Sequence, residues 1–199
     1  MLSMKDPRTL QAITEALLNH DFVNLKEINA KRFLEYPQGT VFIDEDREGR
    51  IKTILIKDNL FDWVLNLEIT SPGRTLCEMW DLERFRPTGF AGRLIYRNRI
   101  KAGTVAGGHY HKKKKELFFV ASKKGSLIFH LIRLADNEKI EIEMGSSPVQ
   151  ILDMNYSPAI RINPGINHAV ENPGKQGSVL LVVVANRSHD SKDDYNMND

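Results

Sequence analysis

Three histidines and a glutamate have the types and spacing to do chemistry. His109 and His111 are two residues apart, so in an extended segment both side chains leave the same face, while Tyr110 leaves the other. Glu116 follows after the loop-like run Lys112 to Lys115, and a hairpin there would return it to the two imidazoles. His168 comes much later, directly behind the turn Asn163-Pro164-Gly165, with Asn172 four residues on. Three imidazoles and one carboxylate inside a barrel would suit a divalent transition metal: zinc, iron, manganese, nickel or copper. No thiolate is near, which disfavours metals that select soft ligands. A His-x-His pair alone also fits an ordinary surface strand. The addition of Glu116 and the distant His168 is what points to a site.

The remaining reactive residues have plainer readings. Arg97 and Arg99 share one face of the preceding strand. They read either as a clamp for an anionic ligand such as a diphosphate or as solvent-facing strand residues. Lys112 to Lys115 reads as a solvated turn that could also attract phosphate. His130, inside a strand, reads as a hydrogen-bonded wall residue. His20 and His189 read as surface residues. Cys77, the single cysteine, has no visible catalytic partner and reads as packing. Trp63 and Phe61 read as core.

These residues must be positioned by a chain of 199 residues, which is one domain with room for an appendage. With 41% hydrophobic and 27% charged residues it can build a soluble, globular core. Its 28 basic and 26 acidic residues leave a net charge of +2, which gives no reason to expect nucleic acid as partner. One cysteine excludes an internal disulfide and a cysteine-rich zinc site. The longest apolar run, Val179 to Ala185, is far short of the roughly 20 residues a membrane helix needs. No signal core follows Met1, so the expected compartment is the cytoplasm.

Asp6 and Pro7 open a predicted helix over residues 6 to 19, with Leu10, Ile13 and Leu17 on one face. A second short helix near Leu25 to Leu34 is weakly patterned. The clearest early strand is Phe61 to Ile69, which alternates Phe61, Trp63, Leu65, Leu67 and Ile69 with polar residues. From Arg93 the chain reads as all-β. Expected strands are 93–101, 105–111, 116–122, 126–134, 139–144, 149–154, 159–162 and 179–185, parted by Gly, Pro and Asn turns. Many short strands with regular turns indicate a sandwich or barrel. The tail Ser188 to Asp199 is polar and reads as a frayed terminus.

The motif residues resemble the cupin superfamily. Gly103, His109, His111 and Glu116 match the first cupin motif, although Lys123 stands where that motif ends in glycine and Gly125 comes two later. Gly165, His168 and Asn172 are similar to the second motif, with Pro164 adjacent to the glycine rather than two residues before it. The resemblance implies an all-β double-stranded β-helix, or jelly-roll barrel, over residues 93–186. It would be preceded by a helix-and-strand extension over 1–92 and followed by a polar tail, 187–199. The extension's strands would lengthen the barrel sheets or pair with a second subunit, and a homodimer is expected. The metal ligands implied are His109, His111, Glu116 and His168, with Asn172 not a ligand.

A narrower likeness lies in Gly107-Gly108-His109-Tyr110-His111-Lys112-Lys113, and in Val183-Val184-Ala185-Asn186 followed by acidic residues and Tyr195. Both resemble cupins that act on nucleotide sugars: the sugar ketoisomerases and the C-terminal domain of capsular-polysaccharide epimerase-reductases. The first group implies a metal-free histidine acid–base pair, the second a metal-binding set. His109 and His111 therefore read as ligands or as proton carriers. The expected function is an isomerase or epimerase of a sugar or nucleotide sugar. The alternatives are an iron-dependent dioxygenase and a non-catalytic small-ligand-binding cupin.

Overall fold

In a computed structural model, the described residues are 2–3, 26–28, 31–36, 39–45, 50–57, 60–151, 153–188 and 190–196. The predicted helix over 6 to 19 and residues His20 and His189 lie outside them.

Strands are numbered in chain order. A six-stranded sheet runs β1 (Leu2–Ser3), β12 (Lys139–Gly145), β11 (Ser126–Arg133), β15 (Ile166–Asn172), β9 (Thr104–Tyr110) and β17 (Tyr195–Asn196). The second sheet runs β2 (Lys26–Ile28), β3 (Lys31–Tyr36), β4 (Gly39–Glu45), β5 (Ile51–Lys57), β6 (Phe61–Ser71), β14 (Met154–Ile162), β10 (Glu116–Val120), β16 (Ser178–Ala185) and β8 (Leu94–Lys101). Alongside it, β13 (Val149–Ile151) pairs with β14, and β7 (Arg74–Cys77) with β6. Pairing is antiparallel except between β1 and β12. The two sheets make the jelly-roll barrel that the cupin resemblance implies, and the described residues are nearly all β.

The core follows from strand alternation. Inward residues such as Trp63, Phe118, Phe129, Leu131, Ile160 and Val183 fill the space between the sheets. A second cluster covers the outer face of the larger sheet, where Phe85 and Phe90 pack on Leu55, Val64, Leu117, Phe119 and Val184. Phe85 ends a single helical turn, α1 (Leu82–Phe85). β10 is therefore buried on both faces, and this is why it reads as an unbroken apolar run after Glu116. On the same outer face Arg161 and Asp62 form a buried ion pair, Arg161 Nε to Asp62 Oδ2 being 2.7 Å, and Arg161 also donates to Thr88.

The weakly patterned helix near Leu25 to Leu34 is instead strand. β2, β3 and β4 pair in succession onto β5, and that long-range pairing overrides a marginal local preference. The N-terminal strands lengthen the barrel sheet, since β6 pairs with β14 from Phe61–Ile162 to Leu67–Tyr156. β15, which carries His168, had no counterpart among the expected strands, and β14 begins five residues before its expected start. The tail is not frayed over 190–196: a 3₁₀ turn (Ser191–Asp193) leads into β17, which pairs with β9.

Candidate active site

His109, the second-last residue of β9, pairs directly with His168 on β15, but the next pairing is Ala169 with Gly107. Gly108 is therefore an extra residue, and the bulge aims the end of β9 into the barrel. Both glycines have positive φ, 90° at Gly107 and 88° at Gly108. A Cβ on Gly107 would sit 2.8 Å from the His168 carbonyl oxygen, so only glycine allows the two strands to approach. His111 lies just past β9. The chain then crosses to the opposite sheet through residues 112–115 and enters β10 at Glu116. β9 and β10 are thus not a hairpin; Glu116 faces the histidines across the barrel.

The three imidazoles cluster with ring centroids 4.9 Å apart for His109–His111 and for His109–His168, and 5.4 Å for His111–His168. One ring nitrogen from each lies within 4.8 Å of the others. Glu116 Oε2 is 3.2 Å from His111 Nε2 and 3.2 Å from His168 Nε2. The far nitrogens are anchored on main-chain carbonyls: His111 Nδ1 on Asp193 at 2.7 Å and His168 Nδ1 on Ile166 at 3.2 Å. His109 is half-buried, and its ring makes no hydrogen bond among the described residues.

The anchoring fixes the charge this site requires. If each Nδ1 is protonated to reach its carbonyl, a neutral ring turns a lone pair toward the Glu116 carboxylate. That contact needs positive charge on the Nε2 side, from protons or from a cation. Two protons would place two imidazolium rings 5.4 Å apart, whereas one divalent ion serves both rings. Ligand atoms in a tetrahedral shell with bonds of about 2.1 Å lie about 3.4 Å apart, close to the 3.2 Å from Glu116 Oε2 to the His111 and His168 rings. The donor set therefore fits a divalent transition metal.

Four residues not foreseen, Tyr96, Lys114, Asp193 and Asp194, complete the site. Tyr96 on β8 donates to Glu116 Oε1 at 2.7 Å. Lys114, buried rather than solvated, lies 3.5 Å from Glu116 Oε1 and 3.4 Å from Asp194 Oδ1. Asp194 Oδ1 is also 3.0 Å from His111 Nδ1. The Asp193 carboxylate accepts from the main-chain N–H groups of Lys112 at 3.0 Å and Lys114 at 3.1 Å. Tyr195 stacks on Tyr110 and lies under the Lys112 ammonium. The tail is thus a strap across the 112–114 turn.

Burial pushes the Glu116 pKa up, but the hydrogen bonds with His111, His168 and Tyr96 outweigh it and hold Glu116 ionised, well below the usual carboxylate range. Burial, followed by repulsion from His168 and His111, pushes His109 down to about 4. Burial and the neighbouring Glu116 charge raise Tyr96 far above the ordinary phenol range, which keeps its proton available as a donor.

Arg97 and Arg99 are not brought to the histidines. They are exposed, and alternation along β8 turns them away from the face that carries Tyr96. His130 is satisfied by Glu141 at 3.1 Å and Glu171 at 2.8 Å, as its wall position suggests. Asn172 is buried and structural: its amide donates to the Ile100 carbonyl and its oxygen accepts from the N–H of Gly174. Cys77 is half-buried, with its thiol 3.8 Å from the Asn66 carbonyl. Phe61 and Trp63 are core.

The sequence model for the polysaccharide biosynthesis C-terminal domain matches residues 82–196, which takes in every residue named in this site. No curated protein sequence matches the chain. Among solved structures the chain is similar to QdtA, a sugar 3,4-ketoisomerase from Thermoanaerobacterium thermosaccharolyticum in complex with TDP. That match has TM-score 0.56 and 17% identity, covering 71% of this chain and 92% of that one. It is also similar to dTDP-4-dehydrorhamnose 3,5-epimerase from Sulfolobus tokodaii, with TM-score 0.56 and 13% identity over 71% of this chain and 78% of that one. A third is the 3,5-epimerase RmlC from Legionella pneumophila Philadelphia 1 in complex with dTDP-4-keto-L-rhamnose, with TM-score 0.57 and 11% identity over 72% and 77%.

Proposed function

The chain belongs to the polysaccharide biosynthesis C-terminal domain family, and on that premise we propose that it is an isomerase or epimerase of a nucleotide-linked keto sugar. The observation that carries this reading is the clustering of three imidazoles inside the barrel, two of them 3.2 Å from the buried Glu116 carboxylate. The neighbours in complex with TDP and with a dTDP-keto sugar support the substrate class.

Isomerising or epimerising a keto sugar removes a proton from the carbon beside the ketone and, through an enolate, returns one to the neighbouring carbon or to the opposite face of the same carbon. His109 is the proton carrier in this reading. Its ring is unanchored and half exposed, and its depressed pKa leaves a lone pair free at neutral pH. His111, Glu116 and His168 are the fixed part of the site and would hold a divalent transition metal. Such an ion would supply charge stabilisation for the enolate oxygen. Tyr96 and Lys114 hold the Glu116 carboxylate in place, and Asp193 and Asp194 fix the His111 ring.

A second reading makes His109 the fourth ligand. It is favoured by the ring nitrogens of all three histidines lying within 4.8 Å of one another. One variant separates the two. With TDP-linked 4-keto sugars in D₂O, the native protein should incorporate deuterium beside the ketone. His109→Ala should abolish incorporation while keeping one equivalent of metal if His109 carries the proton, and should lose metal if it is a ligand. Absence of exchange in metal-loaded native protein with every keto sugar tested would overturn the isomerase reading.

A further inference from the structure

A cleft of about 600 Å³ lies between the 112–114 turn and the tail, outside the histidine cluster. Arg93, Lys113, Arg187 and Lys192 line it, and among the described residues none of the four makes an ion pair. Lys112 lines it too, its ammonium held 3.9 Å from the Tyr195 ring centroid. The two carboxylates in the lining are already engaged: Asp193 by the N–H groups of Lys112 and Lys114, and Asp190 by the N–H of Lys192. In a chain whose net charge is only +2, this is a local excess of positive charge among the described residues.

The walls are also fixed in advance. Asn186 accepts from the N–H of Lys115 at 2.8 Å and donates its own N–H to the Lys115 carbonyl. Together with the β9–β17 pairing, this holds the cations near one another before any ligand arrives, which lowers the ordering cost of binding. The cleft has the size of a small-ligand site, roughly 300–1,000 Å³. Its two guanidinium groups match the paired oxygens of phosphate.

We propose that this cleft binds a diphosphate-class anion. Two sources share that chemistry: the diphosphate of a nucleotide-linked substrate, and a separate phosphate-bearing ligand. Lys114 and Asp193 line the cleft and also touch Glu116 and His111, so an occupant would lie against the residues that set the histidine site.

The test is calorimetric titration of the metal-free 199-residue chain with inorganic pyrophosphate at low ionic strength. Saturable 1:1 binding is expected. It should weaken at least about tenfold in Arg187→Ala/Lys192→Ala, recover in Arg187→Lys/Lys192→Arg, and stay unchanged in His109→Ala. TDP then assigns the source. If it displaces pyrophosphate, the cleft takes the substrate's diphosphate; if both bind together, it takes a separate ligand. The proposal is overturned if pyrophosphate shows no saturable binding or binds the double alanine variant as tightly as the native chain. Loss of binding in His109→Ala alone would also overturn it, because the anion would then sit among the histidines. None of these outcomes depends on sugar turnover.

Discussion

Removing the Asp193 carboxylate should both loosen the fold and disorder the site. The side chain is 8% exposed and accepts two main-chain N–H groups, from Lys112 at 3.0 Å and Lys114 at 3.1 Å. Hydrogen bonds to a charged group contribute about 1.5–3 kcal/mol each, and a buried donor left without a partner costs about 1–3 kcal/mol. In Asp193→Ala, Lys112 is exposed, so water can take over its N–H. Lys114 is buried, and its N–H is orphaned. The net loss is therefore roughly 2–4 kcal/mol. At about 2–4 °C per kcal/mol for a chain of this size, the melting temperature should fall by roughly 4–16 °C. Asp193→Asn keeps one acceptor oxygen but turns an NH₂ toward a main-chain donor, and should fall between alanine and native. Because the Asp193 carbonyl anchors His111 Nδ1, metal stoichiometry by elemental analysis should drop with the melting temperature. An Asp193→Ala protein that melts within about 1 °C of native and holds a full metal equivalent would refute the strap.

Tyr96→Phe deletes the 2.7 Å donor to Glu116 and should weaken metal binding about tenfold, the usual scale for an outer-shell partner, as read by competition with a chelator. Gly107→Ala places a Cβ against the His168 carbonyl at a φ of 90°, and denaturant unfolding should show a loss of roughly 2–4 kcal/mol. Gly108→Ala, with a φ of 88° but open space around it, should lose only the backbone strain, roughly 1–2 kcal/mol; equal losses would mean that the close approach to β15 is unimportant. Asp62→Ala leaves Arg161 buried without its carboxylate partner and should destabilise by roughly 3–5 kcal/mol in the same measurement.

The jelly-roll and the residues it brings together, His109, His111, Glu116 and His168, could be read from the sequence because each rests on a short-range signal. His109 and His111 lie two apart on a strand. Glu116 stands one loop away at the head of an apolar run, and His168 follows a Pro-Gly turn. β15 escaped notice because Asn163-Pro164-Gly165 and Asn172-Pro173-Gly174 bracket only six residues, and these alternate imperfectly. Tyr96 had an unused signal. Ile100 is the buried residue of β8, and period two from Ile100 puts Tyr96 on its face while turning Arg97 and Arg99 to the other. The arginines drew attention by charge type, whereas phase decides which face a residue occupies.

Lys114 and the tail were hidden for a different reason. Four consecutive lysines give no residue-level cue to which one turns inward. The choice is made by the geometry of a crossing between sheets and by the carboxylates of Glu116 and Asp194 that meet its ammonium. The tail's composition reads as solvated because its contribution is largely main-chain: the β17–β9 ladder, the Asp193 carbonyl on His111, and N–H groups of the 112–114 turn captured by one aspartate. A carbonyl oxygen is the same in every residue, so an anchor made from one leaves no trace in residue type. The same acidic and basic tail residues that suggest disorder supply the strap and line the cleft beside it, because the segment has nothing apolar to bury and is held by charge and backbone pairing instead.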